Sequence, residues 1–105
     1  EQTLHLYRIA QEAITNGIKH GKATRIRITL RTQAEAMILK IEDNGRGIPA
    51  EPRRRQGIGL SVIRYRASEI GGTVAIEPGV GGGTAVTVRF IGVPNSDIPA
   101  TEDPS

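Results

Sequence analysis

An α/β sandwich, with helices on one face of a mixed, mainly antiparallel sheet, is the fold class this sequence predicts. Three observations carry the prediction. Leu6, Ile9, Ala10, Ala13 and Gly17 recur at spacings of three and four, the period of a helix with one apolar face. Ile26, Ile28 and Leu30 then alternate with Arg25, Arg27, Thr29 and Arg31, the period of a half-buried strand. A second helical period runs through Leu60, Ile63, Ala67 and Ile70 and leads into two further strand-like runs. The order α-β-β-α-β-β implies helices layered on a sheet.

Each element has its own signals. The first helix is expected over residues 4–20, with Thr3 as N-cap and Gly21 as its stop. Its polar face collects His5, Arg8, Glu12, Asn16, Lys19 and His20. Strands follow at Thr24–Thr32 and Met37–Asp43, joined by a turn at Gln33-Ala34-Glu35 too short for anything but an antiparallel hairpin. Residues 44–57, rich in glycine, proline and arginine, read as a loop. The second helix is placed at Gly59–Ile70 and ends at Gly71-Gly72. Strands at Thr73–Glu77 and Thr84–Ile91 flank a glycine-rich turn, Pro78–Gly83. The domain is therefore expected over residues 1–92. Residues 93–105, rich in Pro, Ser and Asp, are expected to be a disordered tail.

Composition narrows the function classes. At 105 residues with 37% hydrophobic content, two tyrosines and one phenylalanine, the core must be mainly Ile, Val, Leu and Ala. There is no cysteine, so neither a disulfide framework nor a thiolate metal site can form. No apolar run is long enough for a membrane helix. The formal charge of +3 invites a nucleic-acid reading, but aromatic stacking platforms are nearly missing. The chain opens on Glu1-Gln2-Thr3 without an initiator methionine and reads as part of a longer protein.

The residues that carry chemistry lie at element ends. Asp43 closes a strand, where its carboxylate can accept a hydrogen bond from the exocyclic amine of adenine. Gly45 and Gly47 let the backbone pass close to a base. Alone, Asp43-Asn44-Gly45 is also an ordinary turn. Asn16 offers a neutral oxygen of the kind Mg²⁺ takes alongside water and phosphate. Glu12, one turn earlier on the same face, can position or deprotonate an attacking group. Lys19 and His20 can meet phosphates. Gly57-Ile58-Gly59-Leu60 is expected to open the second helix, with free N–H groups suited to an anion. Gly81-Gly82-Gly83-Thr84 reads by itself as a flexible hairpin, and Arg53-Arg54-Arg55 as a solvated run or part of a lid.

Taken together, these boxes resemble the ATP-binding superfamily of gyrase, Hsp90, histidine kinases and MutL. They are most similar to the catalytic domain of bacterial sensor histidine kinases of the nitrate/nitrite-sensor and DesK-like type. Leu6 to His20 resembles the N box, Glu42-Asp43-Asn44-Gly45-Arg46-Gly47-Ile48-Pro49 the G1 box, and Gly57-Ile58-Gly59-Leu60 the G2 box. Gly71-Gly72-Thr73 and Gly83-Thr84 match later positions.

The resemblance implies a sandwich of the Bergerat (GHKL ATPase) type, with ATP and Mg²⁺ between the N-box helix and a mobile lid. It implies that Asn16 holds Mg²⁺, Asp43 reads adenine, Lys19 and His20 approach the phosphates, and Thr84 supports the adenine contact. Gly45, Gly47, Ile48, Gly57, Ile58, Gly59 and Leu60 would shape the pocket. The implied partners are a dimerisation domain bearing the acceptor histidine and a response regulator with a helix-turn-helix domain. The implied parent is a homodimer and this piece a monomer, without direct contact to nucleic acid or membrane. The implied compartment is the cytoplasm, whether or not the parent is anchored in a membrane.

The chain departs from the pattern where Val62, Ile63 and Tyr65 replace a usual Gly, Met and Glu on the helix that often faces the partner helices. Its two histidines, His5 and His20, both lie on the N-box helix without the surroundings of a phosphoacceptor, so the piece is expected to bind ATP yet not phosphorylate itself. Two alternatives share the fold: an anti-sigma-factor serine kinase, and an interaction domain that has lost its nucleotide.

Overall fold

The structure, a computed structural model, describes residues 2–91. The tail expected at 93–105 lies outside the described residues. Helix α1 spans Gln2–Thr15 and continues into one π-helical turn, Asn16–His20. Strands β1 (Ile26–Gln33) and β2 (Ala36–Asp43) form the expected hairpin. Helix α2 runs from Arg54 to Glu69, and β3 (Thr73–Pro78) and β4 (Thr84–Ile91) complete the domain.

The strands form one sheet in the order β1-β2-β4-β3. Among the described residues the parallel component implied by a mixed sheet is not found: each of the three pairings is antiparallel. The reason is topological. Strands β2 and β3 run the same way and are joined through α2, but β4 is inserted between them and pairs with both.

Both helices lie on one face of the sheet, as the α/β sandwich requires. Ile9 and Ala13 of α1 and Ile63 and Ala67 of α2 pack on Leu39 and Ile41 of β2 and on Val86, Val88 and Phe90 of β4. Ile9, Ile63 and Val88 are fully buried. The helices run antiparallel, since Glu12 meets Gly59 while His5 meets Arg66. Arginine can only donate, so the 3.2 Å bond from Arg66 Nη1 makes His5 Nδ1 the acceptor.

Three local expectations change. Thr3 lies inside α1 and is not its cap. Helix α2 begins five residues before Gly59, because Arg54, Arg55 and Gln56 are good helix formers and join its first turn. On β1, Ile28 and Leu30 do share the helix-facing side with Ile41 and Leu39 across the hairpin, yet they are 51% and 55% exposed. The alternation identified the face correctly, but β1 is an edge strand and the helices cover its neighbours. On the opposite, open face, Ile38 is nonetheless only 7% exposed, because Arg31 and Arg89 pair on either side of it and long arginine stems shield apolar neighbours.

Candidate functional site

The C-terminal end of β2 delivers Asp43 to the end of α1, where the π-turn begins. Gly45 N–H donates to Asp43 Oδ1 at 2.8 Å, which ties one carboxylate oxygen. The other oxygen, Oδ2, faces α1: a Cβ built on Gly17 would lie 3.0 Å from it. A Cβ on Gly45 would stand 2.5 Å from Gly21 O, and one on Gly83 would strike the Asp43 carbonyl. Gly83 also has φ +75°, a conformation that glycine alone adopts cheaply. Asp43 thus sits in a cradle of three glycines, 17, 45 and 83. Of the glycine run before Thr84, which reads as a flexible hairpin in sequence, Gly83 is packed against Asp43, while Gly81 has open space around it.

Beside Asp43 the cleft is lined by Asn16, Gly47, Ile48, Leu60 and Thr84, all expected, and by Gln56 and Gly21, which were not. Thr84 and Gln56 are buried polar residues, at 8% and 4% exposure. Polar side chains are seldom so buried without a partner, and that was the available signal for Gln56, though burial is invisible in sequence. Both polar atoms of the Asn16 side chain, Oδ1 and Nδ2, are buried without a hydrogen-bond partner among the described residues. Leaving such groups unpaired costs about 1–3 kcal/mol, a cost a ligand at the cleft would offset. The gap enclosed at Asp43 is only about 10 Å³, room for about one water molecule. Ile48 and Leu60 are among the apolar residues that line it.

A larger groove of about 540 Å³ adjoins the cleft and is lined by Lys19, His20, Lys22, Arg46, Arg53 and Gln56. The π-turn explains how both Lys19 and His20 reach it. Its closing bond runs from Gly21 N–H to Asn16 O at 2.9 Å, five residues back, which rewinds the helix end. π-turns inside helices are frequent at functional sites. Lys22 follows with φ 58°, an uncommon conformation for a side chain of its kind.

The helix start expected at the glycines lies upstream of them. Gly57 N–H is not free, since it donates to Arg53 O at 2.8 Å as the first intrahelical bond. The uncapped donors belong to the turn starting at Arg54, where Arg53 caps without a side-chain hydrogen bond and no acidic residue is present. Arginines at the positive end of a helix dipole are unfavourable unless an anion is near. Of the arginine run, Arg53 alone lines the groove.

Five expected site residues line neither cavity: Gly45, which holds Asp43 Oδ1 through its N–H, and Gly57, Ile58, Gly59 and Glu12. Gly57 and Ile58 belong to α2, with Ile58 54% exposed and open space around Gly57. Gly59 lies under Glu12, whose Oε2 is 2.5 Å from where a Cβ would stand. Glu12 therefore faces the α1–α2 contact, and neither it nor Gly59 borders the cleft. Among the described residues no group of three or more His, Cys, Asp or Glu could hold a metal. A metal here needs ligands from the substrate, the arrangement Mg²⁺ commonly takes with phosphates, and the unpaired Asn16 amide fits that demand.

Helices on one face of an antiparallel sheet, a cradled carboxylate beside a buried free amide, and an adjoining basic groove define a nucleotide-binding ATPase-type domain. The chain belongs to the family of histidine kinase-, DNA gyrase B- and HSP90-like ATPases, which it matches over residues 1–94. The sensor protein VraS of Staphylococcus saprophyticus is 41% identical over 85 residues, covering 81% of this chain and 24% of that protein. VraS of Staphylococcus aureus is 38% identical over the same shares. The chain thus spans about a quarter of the length of these curated relatives. Among solved structures, the ATP-binding domain of PrrB from Mycobacterium tuberculosis matches with a TM-score of 0.74 at 29% identity, covering 86% of this chain and 68% of that one. The Acinetobacter baumannii histidine kinase AdeS matches at 0.67 and 26% identity, over 83% and 45% of the two chains.

Proposed function

We propose that this chain is the ATP-binding catalytic domain of a two-component sensor histidine kinase of the nitrate/nitrite-sensor or DesK-like type, acting in the cytoplasm. It binds Mg-ATP so that the γ-phosphoryl group can pass to a histidine on a dimerisation domain, for relay to a response regulator. The observation that carries the reading is the cleft itself: Asp43, with Oδ1 tied to Gly45 N–H and Oδ2 close to Gly17, lines it together with the unpartnered amide of Asn16. Oδ2 accepts the exocyclic amine of adenine; Thr84 and Leu60 flank the base. The base enters when Ile48 and Leu60 step back, which assigns the 48–57 segment the work of a lid. The triphosphate lies along the groove of Lys19, His20, Lys22 and Arg53, against the start of α2.

Asn16 would hold Mg²⁺ through Oδ1, and the ion when bound neutralises phosphate charge and orients the chain of phosphates. This protein's own residues do the rest by positioning and by charge. Glu12, packed on Gly59, is not given the role of base. His5 is engaged by Arg66 and His20 lines the phosphate groove, so the acceptor histidine is supplied from elsewhere.

The test is calorimetric titration of the chain with Mg-ATP, Mg-GTP and an Asp43→Asn variant. Loss of a hydrogen bond to a charged group costs about 1.5–3 kcal/mol, so ATP affinity should fall about 10- to 100-fold in the variant, with GTP weak in both proteins. Absence of ATP binding by the unmodified chain would refute the reading and favour an interaction domain that has lost its nucleotide.

A further inference from the structure

We infer that Asn44 is a positioning residue for nucleotide recognition, although it borders neither the base cleft nor the basic groove; the inference rests on the ATP-binding reading above. Its Oδ1 accepts two backbone N–H groups at once, from Thr24 and Arg25, each at 2.9 Å. Its Nδ2 donates to Thr24 Oγ1 at 3.0 Å. Its own N–H donates to Arg25 O at 3.3 Å. The β1–β2 ladder ends at the Ile26–Asp43 pair. Asn44 therefore extends the hairpin beyond its last rung with its side chain, clamping residues 24–25 to the residue that follows Asp43.

What this clamp holds is the join between the two halves of the site. The 16–25 segment is tied internally by Gly21 N–H to Asn16 O and by Ala23 N–H to Gly17 O, at 2.9 and 2.8 Å. Apart from Asn44, Arg46 N–H to Gly21 O at 2.8 Å is the bond that ties this segment to the Asp43 loop. Between these two attachments lies Gly45, pressed against Gly21 O and holding Asp43 Oδ1 through its N–H. Orientation of Asp43 and presentation of Lys19, His20 and Lys22 thus depend on one register between two segments. Without the Asn44 side chain two backbone bonds maintain it, Asn44 N–H to Arg25 O at 3.3 Å and Arg46 N–H to Gly21 O at 2.8 Å. The three side-chain bonds that fix residues 24–25 are gone, the register loosens, and Gly45 and Asp43 lose their fixed place.

The experiment compares the unmodified chain with Asn44→Ala and Asn44→Asp, measuring Mg-ATP and Mg-GTP affinity at a temperature where circular dichroism shows each to be folded. Asn44→Ala should weaken ATP at least about 10-fold and narrow the ATP-to-GTP ratio. Asn44→Asp keeps the oxygen that takes both amides, and should stay within about threefold of the unmodified chain with its ratio intact. A lowered melting temperature with an unchanged ATP-to-GTP ratio in Asn44→Ala would overturn the inference, as would equal losses in both variants. Should Asn44→Ala not fold, amide hydrogen exchange of the unmodified chain decides. ATP should slow exchange at Thr24 and Arg25, remote from the ligand, and unaltered exchange there overturns the coupling. If the unmodified chain fails to bind ATP, the ATP-binding reading falls and this inference with it.

Discussion

Two sets of glycines in this chain look interchangeable on paper and behave oppositely in the fold. Gly17, Gly45 and Gly83 come from three separate elements and converge on one carboxylate, where backbone and side-chain atoms leave no room for a methyl group. Gly57 and Gly59 sit inside the first turns of α2. Gly57 has open space around it, and Gly59 touches the movable end of Glu12. A glycine that admits close approach of rigid backbone is a structural necessity. One that sits in a helix with space around it weakens that helix by about 1 kcal/mol relative to alanine, and any reason for it must lie in motion or in a ligand.

Substitutions can break or sharpen this contrast. The largest effect is expected at Gly83→Ala, which combines a positive φ with a collision against the Asp43 carbonyl. Backbone strain and overpacking each cost about 1–3 kcal/mol, so the variant should melt more than about 10 °C lower or fail to fold. A stable, ATP-binding Gly83→Ala would mean that the cradle is loose. On the polar side of the same cradle, Asn16→Ala removes two buried unpaired atoms. The nucleotide-free domain should gain about 1 kcal/mol in thermal melts while losing Mg-dependent ATP binding; a loss of stability would show that the amide has a partner in solution. The smallest effect, of opposite sign to the first, is expected at Gly57→Ala, where melting should rise by about 4–8 °C for the 1 kcal/mol gained. If that variant melts higher but binds ATP poorly, Gly57 is retained for movement of the lid and not for the resting fold.

The hairpin of β1 and β2 shows how far pattern reading reached. Alternation assigned Ile26, Ile28 and Leu30 to the correct side of the sheet, because side chains on a strand alternate whatever surrounds them. It could not reveal that β1 is an edge, since coverage depends on where α1 and α2 settle. The start of α2 was misplaced for a related reason. Glycine at 57 and 59 suggested a turn, yet a helix nucleated by Ile63 and Ala67 against the sheet extends back through any residue that tolerates it.

The local sequence by itself determined the elements, the antiparallel hairpin, the core positions of both helices, and Asn16 and Asp43 as candidate polar residues, while Thr84 entered through the resemblance to the family. All but Thr84 follow from period, residue chemistry and short connections, which act over a few neighbouring residues. Tertiary structure alone decided that Gly17 and Gly83 pack against Asp43, that Gln56 is buried between the Asp43 cleft and the basic groove, and that Glu12 turns to Gly59. It also decided that a π-turn carries Lys19 and His20 into the groove. Each of those depends on atoms far apart in the chain coming within a few ångströms, and such distances are set by packing of the whole domain.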